Sequence, residues 1–221
     1  MNVRSTDDRT TRARIRDAAI ELIAREGVAD LSARGVADQA GVSPGSVIHH
    51  FGSMDGLRRA CDDFVAETIR TRKSDALSPG AAFDLAGLVR DTELSVLPAY
   101  LAAVASDDSP AVTRLVDEMI ADAATYSEQG VSSGMLRPSD DPQGRAAVMV
   151  VWSLGALVLH RHLARHLDVD LTDPDVMSTD GFARYLRTVY EVLGSGLFTE
   201  SFATIAQQAA AELDAPGEEP T

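Results

Sequence analysis

The sequence predicts an all-α protein of about nine to ten helices arranged in two parts. Apolar residues recur at three- and four-residue spacing along most of the 221 residues. Helix-start and helix-stop signals, Ser followed by Pro and Gly after an apolar face, punctuate those stretches. Charge divides the chain as well. Residues 1–74 hold 12 Lys and Arg against 11 Asp and Glu, whereas residues 75–221 hold 8 against 23.

The first helix carries Ile15, Ala18, Ala19, Leu22 and Ile23 on one stripe and stops at Gly27. Ser32 is placed to cap the second, with Leu31 stapling to Val36 and with Val36, Ala37 and Ala40 facing inward. Gly41 supplies the left-handed residue that ends it. The third helix, about 44–50, starts on Ser43 as N-cap and Pro44 in its first turn, with Val42 and Val47 placed for a second staple. Phe51 and Gly52 end it. Ser53 caps a fourth helix whose inward stripe is Leu57, Cys61, Phe64, Val65, Thr68 and Ile69.

Two helices joined by a short Gly-containing corner form a helix-turn-helix, whose second helix ordinarily enters the DNA major groove. Ala37, Ala40, Gly41, Val42, Ser43, Gly45, His50, Phe51, Ser53 and Leu57 match the order and spacing of a known signature, and Ala18, Ala19 and Gly27 match the helix before it. Residues 9–69 therefore closely resemble the DNA-binding region of the TetR family of transcriptional regulators. The resemblance implies a helix-turn-helix domain over 9–69 with its core at 32–51. A ligand-binding and dimerisation domain is expected over 75–215, with 1–8 and 216–221 disordered. It further implies a cytoplasmic homodimer that binds near-palindromic double-stranded operator DNA, as a repressor, and responds to a small apolar or amphipathic ligand.

The family's usual Tyr falls on Ile48 and its usual Lys on Met54, which removes a phenol donor and a cation. His49, His50 and the Arg-rich arm (Arg4, Arg9, Arg12, Arg14, Arg16) are the groups able to compensate. The two departures leave open a second reading, a helical ligand sensor or interaction protein that has lost specific DNA binding. The candidate DNA-facing residues are Arg34, Ser43, Pro44, Gly45, Ser46, Ile48, His49 and His50. Arginine is suited to the edge of guanine, serine to phosphate and Ile48 to a thymine methyl. Each has a plainer role beside that one. Arg34 is also a solvated helix charge, Ser43 also an N-cap, and His50 also a local packing residue.

Beyond Ser78-Pro79-Gly80, a linker signal, helices are expected at about 81–91, 93–105, 110–129, 142–167, 179–194 and 199–214, with a kink at Pro98. The run from Ala146 to Leu159 is apolar round its whole circumference and must be covered on every side. The TetR resemblance implies a dimer built by two C-terminal helices per chain, placed near 142–167 and 179–194; the central helix of a monomer would show the same apolar pattern. Tyr100, Met119, Tyr126, Trp152 and His160 are the candidate ligand-pocket residues, with plain core packing as the alternative. His162 and His166 sit at i, i+4, but no third ligand accompanies them, so no metal and no cofactor are expected. No phosphate-binding loop, dinucleotide fingerprint or nucleophile elbow appears, and catalysis is not expected. The single cysteine, Cys61, cannot form an internal disulfide, and the polar start resembles no secretory signal. No membrane partner is expected.

Overall fold

The computed structural model of the chain describes residues 3–77, 95–107 and 109–195. Among them are nine α-helices and no strand. They are α1 (Val3–Glu26), α2 (Ala33–Ala40), α3 (Pro44–Phe51), α4 (Met54–Leu77), α5 (Leu97–Val104), α6 (Pro110–Ser132), α7 (Pro142–Val158), α8 (His160–Leu167) and α9 (Asp180–Tyr190). A 3₁₀ turn, Val176–Ser178, precedes α9, and a π turn, Glu191–Ser195, follows it. No single described helix is long and apolar enough to cross a membrane.

The stripe expected on α1 is buried throughout. It packs on Val36, Ala37 and Ala40 of α2, Val47 of α3 and Leu57, Cys61 and Val65 of α4 in one continuous core. The corner between α3 and α4 is held by a close approach. A Cβ on Gly56 would stand 2.2 Å from the Phe51 carbonyl oxygen, so only glycine lets the first turn of α4 lie against the end of α3. Cys61 is fully buried, and that burial pushes its thiol up to about 12, with the neighbouring Asp62 carboxylate adding to the effect.

With 24 residues, α4 is about 36 Å long and reaches from this head into the rest of the protein. Its start packs on α1 and α3, and α6 packs along it. Arg70 of α4 lies 3.3 Å from Asp122 of α6, and the Ser74 hydroxyl donates to Gln129 Oε1 at 2.7 Å. Helix α7 then packs on α5 and α6, with α5 lying against α1 and α6 against α4.

A buried polar cluster sits where the two parts meet. The Tyr100 hydroxyl on α5 donates to Asp62 Oδ1 on α4 at 2.6 Å, and Arg58 Nε lies 3.5 Å from the same oxygen. Tyr100 is fully buried and Asp62 is 2% exposed. Burial raises the Asp62 carboxyl above its ordinary range, against the opposing pull of the Tyr100 hydrogen bond and the Arg58 charge. Burial and the adjoining carboxylate raise the Tyr100 phenol as well, so it remains a donor.

The C-terminal part departs from the sequence expectation at several points. The helix expected at 93–105 is seen as Leu97–Val104, and Pro98 stands in its first turn, where its missing N–H interrupts no helical bond. No kink forms there. The helix expected as one piece over 142–167 is two, α7 and α8, bent by 74° at Leu159. No proline marks that break. It falls where His160 Nδ1 turns to Asp170 Oδ1, 2.7 Å away, in the loop that follows α8. That loop is fixed in turn by Thr172, whose backbone N–H and hydroxyl both donate to Asp170 Oδ1. Helix α6 runs three residues past the expected end at 129, and the helix expected over 179–194 closes at Tyr190 before the π turn. At the other end of the chain, α1 starts at Val3, inside the stretch 1–8 expected to be disordered. The expected helices at 81–91 and 199–214, the linker at 78–80 and the tail 216–221 lie outside the described residues.

Replacing Tyr100 by Phe removes the donor and leaves the buried carboxylate to Arg58. Such a loss to a charged, buried acceptor costs about 2 kcal/mol. Urea denaturation followed by circular dichroism is expected to show a lowered midpoint with an unchanged slope; an unaltered midpoint would contradict the cluster's contribution.

Candidate nucleic-acid interface

The helix-turn-helix corner is built as its residues dictate. Gly41 has φ 65° and closes α2, its N–H returning to the Ala37 and Asp38 carbonyls, and the Val42 N–H bonds the Ala37 carbonyl at 3.0 Å. Ser43 then caps α3 in an extended conformation, its hydroxyl oxygen accepting the Ser46 N–H at 3.2 Å. The two hydroxyls, Ser43 Oγ and Ser46 Oγ, also lie 2.9 Å apart, so they form one small polar cluster at the start of the helix. Pro44 occupies the first turn.

Helix α3 turns Val47 fully inward and half-buries Phe51. Its opposite face is open. Pro44, Gly45, Ile48 and His49 are exposed, Ile48 to 41%, while Ser46 and His50 are half-buried. The His49 and His50 rings meet edge to face, with centroids 5.5 Å apart. On α2, the Arg34 side chain is 88% exposed and pairs only loosely with Asp38, at 4.0 Å. The structure thus brings all eight sequence candidates onto α2, α3 and the corner between them.

The structure places Met54 and three arginines of the leading helix. Met54, standing where a cation was missed, is half-buried and packed against the core, so the position contributes apolar contact. The arginines of the leading helix whose side chains are described are engaged with the protein. Arg12 Nη1 donates to the His50 carbonyl at 3.1 Å, Arg14 Nη2 donates to the Ala40 carbonyl at 2.5 Å, and Arg16 pairs with Asp17 and lies 3.5 Å over the Phe64 ring. The count of charges does not tell their direction, because the partners of Arg12 and Arg14, 38 and 26 residues away, are fixed only by folding.

The five candidate pocket residues are dispersed. Tyr100 is spent on Asp62, and Met119 and Tyr126 pack half-buried on the core from α6. Trp152 is 40% exposed on the outer side of α7, and His160 is bonded to Asp170. A cleft of about 230 Å³ opens between α1, α4 and α5, lined by Arg16, Asp17, Ile20, Glu21, Phe64, Val96 and Leu97. None of the five lines it. On α8, Arg165 Nη2 stands between the two imidazoles, 3.3 Å from His162 Nδ1 and 3.5 Å from His166 Nε2.

An outward helix on a glycine corner, joined through a long shared helix to a helical body, defines the class of helix-turn-helix DNA-binding proteins. Comparison with known proteins narrows the class. Residues 15–61 match the family model described as bacterial regulatory proteins, tetR family, and residues 93–199 match the one described as tetracyclin repressor-like, C-terminal domain. The chain is 42% identical over 154 residues to the HTH-type transcriptional regulatory protein RaaS of Mycobacterium tuberculosis (strain ATCC 25618 / H37Rv), a span of 69% of this chain and 72% of that protein.

Solved structures share the fold. FadR from Bacillus subtilis, in complex with stearoyl-CoA, superposes with TM-score 0.59 at 16% identity, over 84% of this chain and 99% of that one. A TetR-family transcriptional regulator from Rhodococcus sp. gives 0.58 at 21% identity, over 80% and 97%. NalD, the secondary repressor of the MexAB-OprM multidrug efflux pump in Pseudomonas aeruginosa, gives 0.52 at 22% identity, over 88% and 98%. The chain belongs to the TetR family and is a ligand-responsive, DNA-binding transcriptional regulator.

Ser43→Ala removes the α3 cap and the partner of the Ser46 hydroxyl together. Loss of such a cap costs about 1 kcal/mol, read as a lower thermal midpoint; a Ser43→Asp protein, which restores an acceptor for the Ser46 N–H, is expected to recover most of it.

Proposed function

We propose that the protein is a cytoplasmic repressor that binds a near-palindromic operator as a homodimer and leaves it when a small apolar or amphipathic molecule binds. The observation that carries this reading is the open face of α3, fixed at its start by the Ser43 cap and inside by Val47. Residues 9–69 form the DNA head, with 32–51 as its core, and residues 75–215 form the ligand and dimer part. Arg34 reaches a base edge or a phosphate, and Ser43, Ser46, His49 and His50 supply polar contacts. Pro44 and Gly45 give the helix a low profile toward the duplex, and Ile48 meets a thymine methyl.

A second copy covers the outer side of α7. Val148 and Val151 there are 65% and 60% exposed beside Trp152, and Tyr190 at the end of α9 and Leu193 in the π turn are exposed as well. Exposed apolar side chains grouped on one helix face support an interface, and twofold pairing presents two heads to successive major-groove faces. The stearoyl-CoA held by the Bacillus regulator supports a long amphipathic ligand in the same helical body. Ligand lowers DNA affinity by the ratio of its own affinities for the two head spacings.

Fluorescence anisotropy with the intergenic duplex upstream of the protein's own gene tests the reading. Specific binding that weakens steeply between about 50 and 200 mM salt is expected; its absence would overturn the assignment of a working repressor. In the same assay Arg34→Ala and His49→Ala are each expected to weaken operator binding by about 1–3 kcal/mol. Both side chains are exposed, so thermal stability stays unchanged. Wild-type affinity in both variants would remove these residues from the interface.

A further inference from the structure

The last carbonyls of a helix have no partner within it, and a cation placed there satisfies both the hydrogen bond and the helix dipole. In this head both helices of the DNA-binding pair end on such a cation, and both cations come from α1. Arg14 Nη2 holds the Ala40 carbonyl, the last of α2, at 2.5 Å. Arg12 Nη1 holds the His50 carbonyl, one residue before the end of α3, at 3.1 Å, and its guanidinium lies 4.6 Å over the Phe51 ring. Even the corner leaves room for this: a Cβ on Gly41 would stand 3.4 Å from Arg14 Nη2.

We propose that Arg12 and Arg14 are positioning residues for DNA recognition, which set the tilt of α3 by fixing the ends of α2 and α3 to α1, and that neither contacts phosphate. Helix α3 has eight residues and one fully buried side chain, Val47. So short an element is oriented chiefly by its ends. Ser43 fixes the first, and the Arg12 clamp fixes the second. The guanidinium suits the task, since its planar fork bonds a carbonyl and stacks on a ring together, which an ammonium does not do. Loosening the clamp moves α3 relative to base edges. The sequence-independent attraction between head and backbone is left as it was.

The distinction is measurable because a lost phosphate contact changes the salt dependence and a lost alignment does not. The probes are a duplex selected by the wild-type full-length protein from a random pool and a scrambled duplex of equal length. Failure of the wild type to select a duplex would strike at the function itself and not at this inference. For the Arg12→Ala, Arg14→Ala protein, affinity for the selected duplex is expected to fall about tenfold. Affinity for the scrambled duplex and the log–log salt slope stay at wild-type values. Arg12→Lys keeps the charge and loses the stacked fork; it is expected to lose affinity for the selected duplex alone, and it provides the reading where the double variant does not fold. A slope shallower by about one per arginine, with both probes weakened, would show phosphate contacts and overturn the proposal. So would an equal loss on both probes with unchanged slope, which marks a structural role only, or no loss on either.

Discussion

One buried hydrogen bond, from the Tyr100 hydroxyl to the Asp62 carboxylate, ties the helical body to the long helix α4. A carboxylate taken out of water is costly unless it is paired and bonded. Here its partners come from both sides of a junction, Arg58 from its own helix and Tyr100 from α5. The Tyr100 bond fixes the position of α5 relative to α4 at this one point. The same helix α4 also carries the corner against α3, so one continuous helix joins this cluster to the head. Such a cluster adds more to uniqueness of arrangement than to total stability, which rests on the apolar core running from Ile15 through Val65 to Leu154.

The DNA-facing half was readable from the sequence because its determinants are local. Caps, Gly41, the Pro44 start and the three- and four-residue apolar spacing each act within a turn or two, and every one is seen where it was expected. The second half was less readable because its determinants are remote. The bend at Leu159 stands beside a bond between His160 and Asp170 across ten residues, and periodicity runs straight through it. Pro98 illustrates a different limit: the same residue kinks a helix interior and opens a helix start, and only the true boundary tells them apart. The pocket candidates rested on residue type alone. Type does not separate a ligand-facing Tyr from one spent on a buried carboxylate.

Charge shows the same contrast. The excess of acid beyond residue 75 and the near-neutral head are visible by counting, and they suit a molecule that approaches DNA by one end. Where each charge points is set by the fold. Arg12, Arg14 and Arg16 all turn to protein, while Arg34, which counting does not distinguish from them, stands in solvent.

The division of labour within α3 has an evolutionary consequence. Its hold on the protein rests on Val47, the serine cap and its two ends, and the outward positions Gly45, Ile48 and His49 are exposed. Substitutions at those outward positions come at little cost to folding, because none of the three positions is buried. The scaffold therefore leaves one face of the helix free to vary, and Ile48, an apolar side chain standing in solvent, is an instance of that latitude.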